Sequence, residues 1–218
     1  MPLFTDFVAL VGVDLVLCAV CLWFLSCWPG EGRWRLWVAG AVFALLWWPA
    51  GSAQLPLLAY VRGITSDPSI TLVAMACLAL YRRGSGRDMA PPPERTVLAV
   101  TLAALALLLY PTALGWGDWD AYRLGWGSPV LWLGLMLWSV ACWFRGLRLG
   151  PLLVALALLA WVAGALESTN LWDYLMDPWL AVAAIVQSLK MGACKLWARF
   201  GPAKNGAASP AGATDQHA

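Results

Sequence analysis

Seven hydrophobic runs divide this chain, and the gaps between them alternate in charge, which constrains its fold more than any other feature. Twelve of the fourteen Lys and Arg residues lie in every second gap: Arg33 and Arg35, then Arg82, Arg83, Arg87 and Arg95, then Arg145 and Arg148, then Lys190, Lys195, Arg199 and Lys204. Only Arg62 and Arg123 fall in the other gaps, which instead carry Asp67, Asp118, Asp120, Glu167, Asp173 and Asp177. Translocating Lys and Arg is disfavoured, so the basic gaps stay cytoplasmic. The pattern reads as an all-α polytopic transmembrane helical bundle of about seven crossings, with its N-terminus outside and its C-terminus cytoplasmic.

The runs extend roughly over 7–28, 36–53, 69–81, 97–110, 129–143, 151–166 and 179–197. A helix needs about 20 residues to cross a ~30 Å hydrocarbon core, so several runs are short. The third crosses only if its polar flanks are included, and the last carries Lys190 and Lys195, whose stems must snorkel. If either fails to span, the count falls to about six.

With 61% hydrophobic and 12% charged residues, the chain has too few charges to cover a soluble globule. Compactness and short loops point to a multi-pass protein of the bacterial inner membrane. The net charge of +2 averages two opposed faces, so no nucleic-acid partner is implied, and the basic face suits anionic lipid headgroups. Residues 1–200 form the membrane domain, and 201–218 read as a disordered cytoplasmic tail that holds the sole histidine, His217. No basic residue precedes the first run, so it is expected to be a retained helix rather than a cleaved signal. Cys18 and Cys21 form a C-x-x-C inside that helix, where Cys behaves as a small apolar residue, and the six cysteines imply no disulfide framework. Pro91, Pro92 and Pro93 favour an extended polyproline linker.

The Trp residues, sixteen in all, cluster near run ends, where an indole anchors at the headgroup level; Trp28, Trp34, Trp37, Trp47, Trp48 and Trp143 are examples. After Trp48, Pro49, Gly51 and Pro56 break the helix, and 54–67 reads as a short outer helix or a partial re-entrant segment. Irregular backbone at membrane depth is tolerated where it lines a cavity, so a cavity opening outward is expected here.

Three places carry candidate chemistry. In the outer loop 114–129, Leu-Gly-Trp-Gly occurs twice, placing Trp116 and Trp126 at paired corners around Asp118, Trp119, Asp120, Tyr122 and Arg123. Asp118 and Asp120 form a D-x-D, in which two carboxylates on one side of an extended segment share an oxygen-loving divalent cation; the competing reading is a solvated acidic turn paired with Arg123. In the loop 167–178, Ser168 or Thr169 would cap a short helix with Asp173 and Asp177 on one face, Glu167 nearby, and Trp172, Tyr174 and Trp179 as aromatic contacts for a partner or lipid. Asp14, the acidic residue within the first run, aligns with Cys18 and Cys21 and should face into the bundle, either as a proton or cation site or as a helix-paired carboxylate.

The chain has no Walker loop, no H-E-x-x-H and no G-x-S-x-G. Its first functional reading is a non-enzymatic accessory subunit of a larger bacterial envelope complex, contacting a membrane protein partner through the aromatic and acidic outer loops. The second is an outer-face enzyme transferring a group to or from a lipid-linked sugar or lipid headgroup, with Asp118 and Asp120 on a metal and Asp173, Asp177 or Glu167 as base. The third is a small transporter using Asp14, against which stands the lack of an inverted repeat. A divalent cation is the one cofactor the pattern allows.

Overall fold

The computed structural model describes residues 2–26 and 34–200. The tail 201–218, together with Cys27, Trp28 and Arg33, lies outside the described residues. In chain order the elements are α1 (Pro2–Leu25), α2 (Trp34–Leu46), a two-stranded antiparallel ribbon of β1 (Pro49–Ala50) and β2 (Leu55–Pro56), α3 (Leu57–Thr65), α4 (Ile70–Ser85), α5 (Pro92–Ala113), a 3₁₀ turn (Ala121–Gly125), α6 (Pro129–Phe144), α7 (Leu149–Val162), α8 (Leu171–Leu175) and α9 (Pro178–Phe200).

The structure is thus mostly helical. Among the described residues three helices are long and apolar enough to cross a membrane: Phe4–Leu25 within α1, Pro92–Ala113 and Pro178–Phe200, with mean hydropathies of 2.6, 2.0 and 1.2. The apolar helices α2, α6 and α7 are shorter. At 1.5 Å per residue the 13-residue α2 extends only ~20 Å, and the chain turns back through the ribbon into α3, which packs on α1. The third run is longer as a helix than as a hydrophobic stretch, because α4 continues through Arg82 and Arg83 to a left-handed cap at Gly86.

The α1 helix packs on α2, α3 and α4; α4 leans on α7; α7 also contacts α5 and α6, and α5 lies along α9. The core runs through this second group, around Leu102, Ala106, Leu153, Ala157, Leu171 and Tyr174. Small residues at its centre, such as Ala106 and Ala157, let the helices approach closely.

The charge alternation of the sequence reappears as two ends. At the basic end, Glu94 from α5 accepts the Arg148 and Leu149 N–H groups at 3.1 and 2.5 Å, capping α7, which has no side-chain cap of its own. At the acidic end, Asp177 accepts Leu180 N–H at 2.9 Å to cap α9 and reaches across to the Ser69 N–H of α4 at 2.8 Å. Ser69, fully buried, in turn accepts the Leu72 N–H.

Two expectations are corrected here. The proline linker is not extended through 93: α5 begins at Pro92, because the first-turn N–H groups of a helix have no intrahelical acceptor and their loss at Pro92 and Pro93 costs nothing. Asp173 and Asp177 do not share a helical face, since α8 ends at Leu175 and Met176 is extended. At the basic end, the Ala90 N–H, ahead of the Arg95 and Arg82 charges, holds the Asp88 carboxyl below its ordinary range.

Asp14 is fully buried and faces the bundle. Its Oδ2 accepts the Trp47 indole N–H at 2.7 Å, which ties α1 to the end of α2 and takes Trp47 out of the role of a free interfacial anchor. Because α1 starts at Pro2, ahead of the hydrophobic run, Asp14 stands midway along the helix rather than near its end. Asn at this position keeps an acceptor for Trp47, whereas Leu leaves the indole N–H unpaired. Asp14→Asn is therefore expected to melt like the parent in detergent, and Asp14→Leu to lose about 0.6–2 kcal/mol, read from thermal unfolding.

Candidate functional site

A cleft of about 1130 Å³ opens at the acidic end, between the start of α1, α3 and the loops around α8. Its size exceeds the roughly 300–1,000 Å³ of ordinary small-molecule sites. The charged lining comes from the start of α1 and from two of the three acidic gaps, as Asp6, Arg62, Asp67, Glu167, Asp173 and Asp177, while the 114–129 loop contributes Tyr122. A cleft does lie beside the 54–67 segment, with Leu55, Pro56 and α3 among its walls.

Arg62 is the centre of the cleft. Its Nη1 lies 2.5 Å from Asp6 Oδ1, its Nε 2.5 Å from Asp67 Oδ1, and its Nη2 3.2 Å from Asp67 Oδ2 and 3.1 Å from Glu167 Oε1. The bidentate grip of Asp67 is the geometry a planar guanidinium favours. Hydrogen bonding to Asp67 first, then to Asp6 and Glu167, raises the Arg62 pKa against the desolvation that partial burial imposes. One residue thus joins the first turns of α1, the α3–α4 loop and the α7–α8 loop.

The second polar array is Tyr122, Ser168 and Asp173. The Tyr122 hydroxyl lies 3.0 and 2.9 Å from the two Asp173 oxygens, and Ser168 Oγ also donates to Asp173. Burial, then the Asp173 hydrogen bond, pushes the Tyr122 phenol up to about 12. Asn170, rather than Ser168 or Thr169, caps α8 by accepting the Trp172 N–H at 2.9 Å, and its amide donates to the Tyr122 carbonyl. Gly125 lies against this Asn170, where a Cβ would overlap the side chain; the other tetrad glycines, Gly115, Gly117 and Gly127, hold positive φ. The repeated Leu-Gly-Trp-Gly therefore serves two purposes, three turns and one close approach.

The remaining candidates separate by burial. Trp116, Trp119, Trp126 and Trp179 are exposed at this end, as anchors or contacts require. Trp172 and Tyr174 are buried, Trp172 donating to the Ala121 carbonyl at 3.0 Å and Tyr174 bonding to Leu166 and Ser168 backbone groups. An aromatic body with a polar tip fits a buried site where the tip finds a carbonyl. Burial raises the Tyr174 pKa too.

Asp118 is exposed and outside the cleft. Asp120 accepts the Tyr122 N–H at 2.9 Å, capping the 3₁₀ turn, and Arg123 forms no ion pair with either carboxylate. Among the described residues no three His, Cys, Asp or Glu side chains converge as a metal site.

Sequence reasoning missed Arg62 and Asp6 as site residues. The signal was the charge partition itself, since Arg62 is one of two cations on the wrong side of it and Asp67 follows five residues later. No family model, curated protein or solved structure matches the chain.

Replacing the Arg62 fork by a point charge in Arg62→Lys leaves three carboxylates sharing one ammonium. A loss of about 1.5–3 kcal/mol in detergent melts is expected, with Arg62→Gln worse because no cation remains. For Tyr122 the folded pKa of about 12 lies above the ordinary 10.0, so its contribution is complete below pH 10 and disappears as pH rises through about 12. Spectrophotometric titration of Tyr122→Phe should lose one of the phenols that ionise near 12 in the parent, and the variant should also lose about 1 kcal/mol at neutral pH.

Proposed function

We propose that the chain is a seven-crossing, non-enzymatic accessory subunit of a bacterial inner-membrane complex, with the acidic end outside and the basic end cytoplasmic. The observation that carries this reading is the commitment of the cleft carboxylates to the fold. Asp67 clasps Arg62, Asp173 receives two hydroxyls, and Asp177 receives two backbone N–H groups. General acid or base work needs a carboxyl poised to exchange a proton with a substrate, and these are occupied by internal donors. An accessory subunit needs a shaped surface instead, and the exposed Trp116, Trp119, Trp126 and Trp179 around a fixed cleft supply one.

The seven crossings combine the three long helices with α2, α4, α6 and α7, the short ones reaching the interfaces through their polar flanks and the ribbon. Arg62 fits the outer side despite its charge because Asp6, Asp67 and Glu167 neutralise it there. The transferase reading draws on the cleft volume, with Glu167 the least occupied carboxylate.

Topology is tested by single cysteines labelled with an impermeant maleimide in intact cells. Asp118→Cys and Glu167→Cys should react and Arg87→Cys and Arg148→Cys should not; labelling at Arg87→Cys overturns the orientation. For function, photo-cross-linkers at Trp119 and Trp179 should capture one larger membrane protein that co-purifies in mild detergent. A chain that migrates alone and turns over a lipid-linked substrate unaided would establish the transferase in place of the subunit.

A further inference from the structure

Beside the polar cleft lies a second, apolar cavity of about 280 Å³, partly open and lined by α4, α5, α6, α7 and α8. Leu102, Leu105, Leu131, Leu153 and Val154 are among its walls, and Thr71 and Thr101 are its hydroxyl-bearing residues. The two spaces share Trp172 and Met176 as a common wall. A third, shallower groove of about 570 Å³ runs between α6 and α7 and shares Leu135 and Val154 with the apolar cavity. A charged cleft, a greasy interior cavity and an apolar groove therefore adjoin in sequence. An apolar pocket of this size next to a polar cleft can take the apolar part of an amphiphilic ligand.

The charges of the cleft define the head of that occupant. Asp6 and Glu167 each give one oxygen to Arg62, and among the described residues their other oxygens, Oδ2 and Oε2, accept no hydrogen bond; both side chains are open to solvent at 42% and 64% exposure. Arg62 in turn has a second N–H on Nη1 beyond the one given to Asp6. Five carboxylates against one guanidinium line the cleft, so a purely anionic head is repelled. A head that brings its own ammonium to the Asp6 and Glu167 oxygens and a phosphate to the remaining Arg62 N–H matches both signs.

We propose that the cleft and the apolar cavity together bind a phosphoethanolamine-headed amphiphile, with its primary ammonium between Asp6 and Glu167, its phosphate at Arg62 and an acyl chain in the cavity beyond Trp172 and Met176. This deepens the membrane reading above but does not depend on a protein partner. The groove between α6 and α7 is the side on which the chain passes to bulk lipid.

The test uses the purified, delipidated full chain titrated in detergent, with occupancy read by native mass spectrometry. Phosphatidylethanolamine is expected to bind at least about tenfold more tightly than phosphatidylglycerol, which lacks the amine, and phosphatidylcholine, whose ammonium has no N–H to donate. The Asp6→Asn, Glu167→Gln double variant should erase that preference. Gly134→Leu tests the chain separately: Gly134 lines the cavity on the same face of α6 as Leu131 and Trp138, and a Cβ there meets nothing within 4 Å. Leu suits a helix better than Gly, so the variant should fold, and its lipid affinity should fall about fivefold or more. Free phosphoethanolamine, the same head without a chain, should bind at least about 100-fold more weakly than the lipid. Equal binding of phosphatidylglycerol, undiminished lipid binding by Gly134→Leu, or equal binding of the free head would each overturn the proposal. A chain that cross-links to a partner yet shows no lipid preference loses this inference alone.

Discussion

A helix end removed from water must find partners for its free N–H groups, and in this chain local caps such as Ser69 and Asn170 are joined by carboxylates from other helices. Asp177 caps α9 with one oxygen and the start of α4 with the other, so two helices distant in sequence are held by one carboxylate. Glu94 does the same from α5 to α7 at the opposite end. Lipid tails are as apolar as Leu, so helices in a membrane gain little from hydrophobic contact with one another. Polar ties at the two ends then set which helices are neighbours, and small residues such as Ala106 and Ala157 let them close.

The Arg62 cluster extends that logic to the cleft. A lone guanidinium half withdrawn from water would be costly, and three carboxylates facing one another would repel; together they form a compact unit with little net repulsion. The unit ties α1 to the loops before α4 and α8, which fixes the walls of the cleft. Tyr122, Ser168 and Asp173 fix its floor in the same manner. The polar groups of the cleft bond largely to each other, and the exposed edges of Asp6, Glu167 and Arg62 are the charged groups left open to a ligand. That division between committed and available oxygens is the basis for the proposed binding role and the proposed headgroup.

Much of this organisation was legible in the linear sequence. The alternation of basic and acidic gaps is a property of composition along the chain, and it reappears as two chemically distinct ends. Pro49 and Pro56 announced the break after α2, and Asp14 with Cys18 announced an inward face of α1, because proline geometry and helical spacing act locally. The sequence likewise placed Glu167, Asp173 and Asp177 at the same end as Asp67.

Which carboxylate meets which donor was decided only by tertiary structure. Asp120 became a cap and Asp118 stayed exposed, although both stand in the same tripeptide, because only the first faces the Tyr122 N–H. Trp172 and Tyr174 looked like contact residues and are buried, while Trp119 and Trp179 are exposed, since the direction of a short helix such as α8 depends on what it packs against. Arg62 meets Asp6 and Glu167 across separations of 56 and 105 residues, and no local rule reports such a meeting. Hydropathy and charge determine how a chain partitions because each residue responds to its solvent independently; a site depends on residues meeting across the chain, and only the folded packing specifies those meetings.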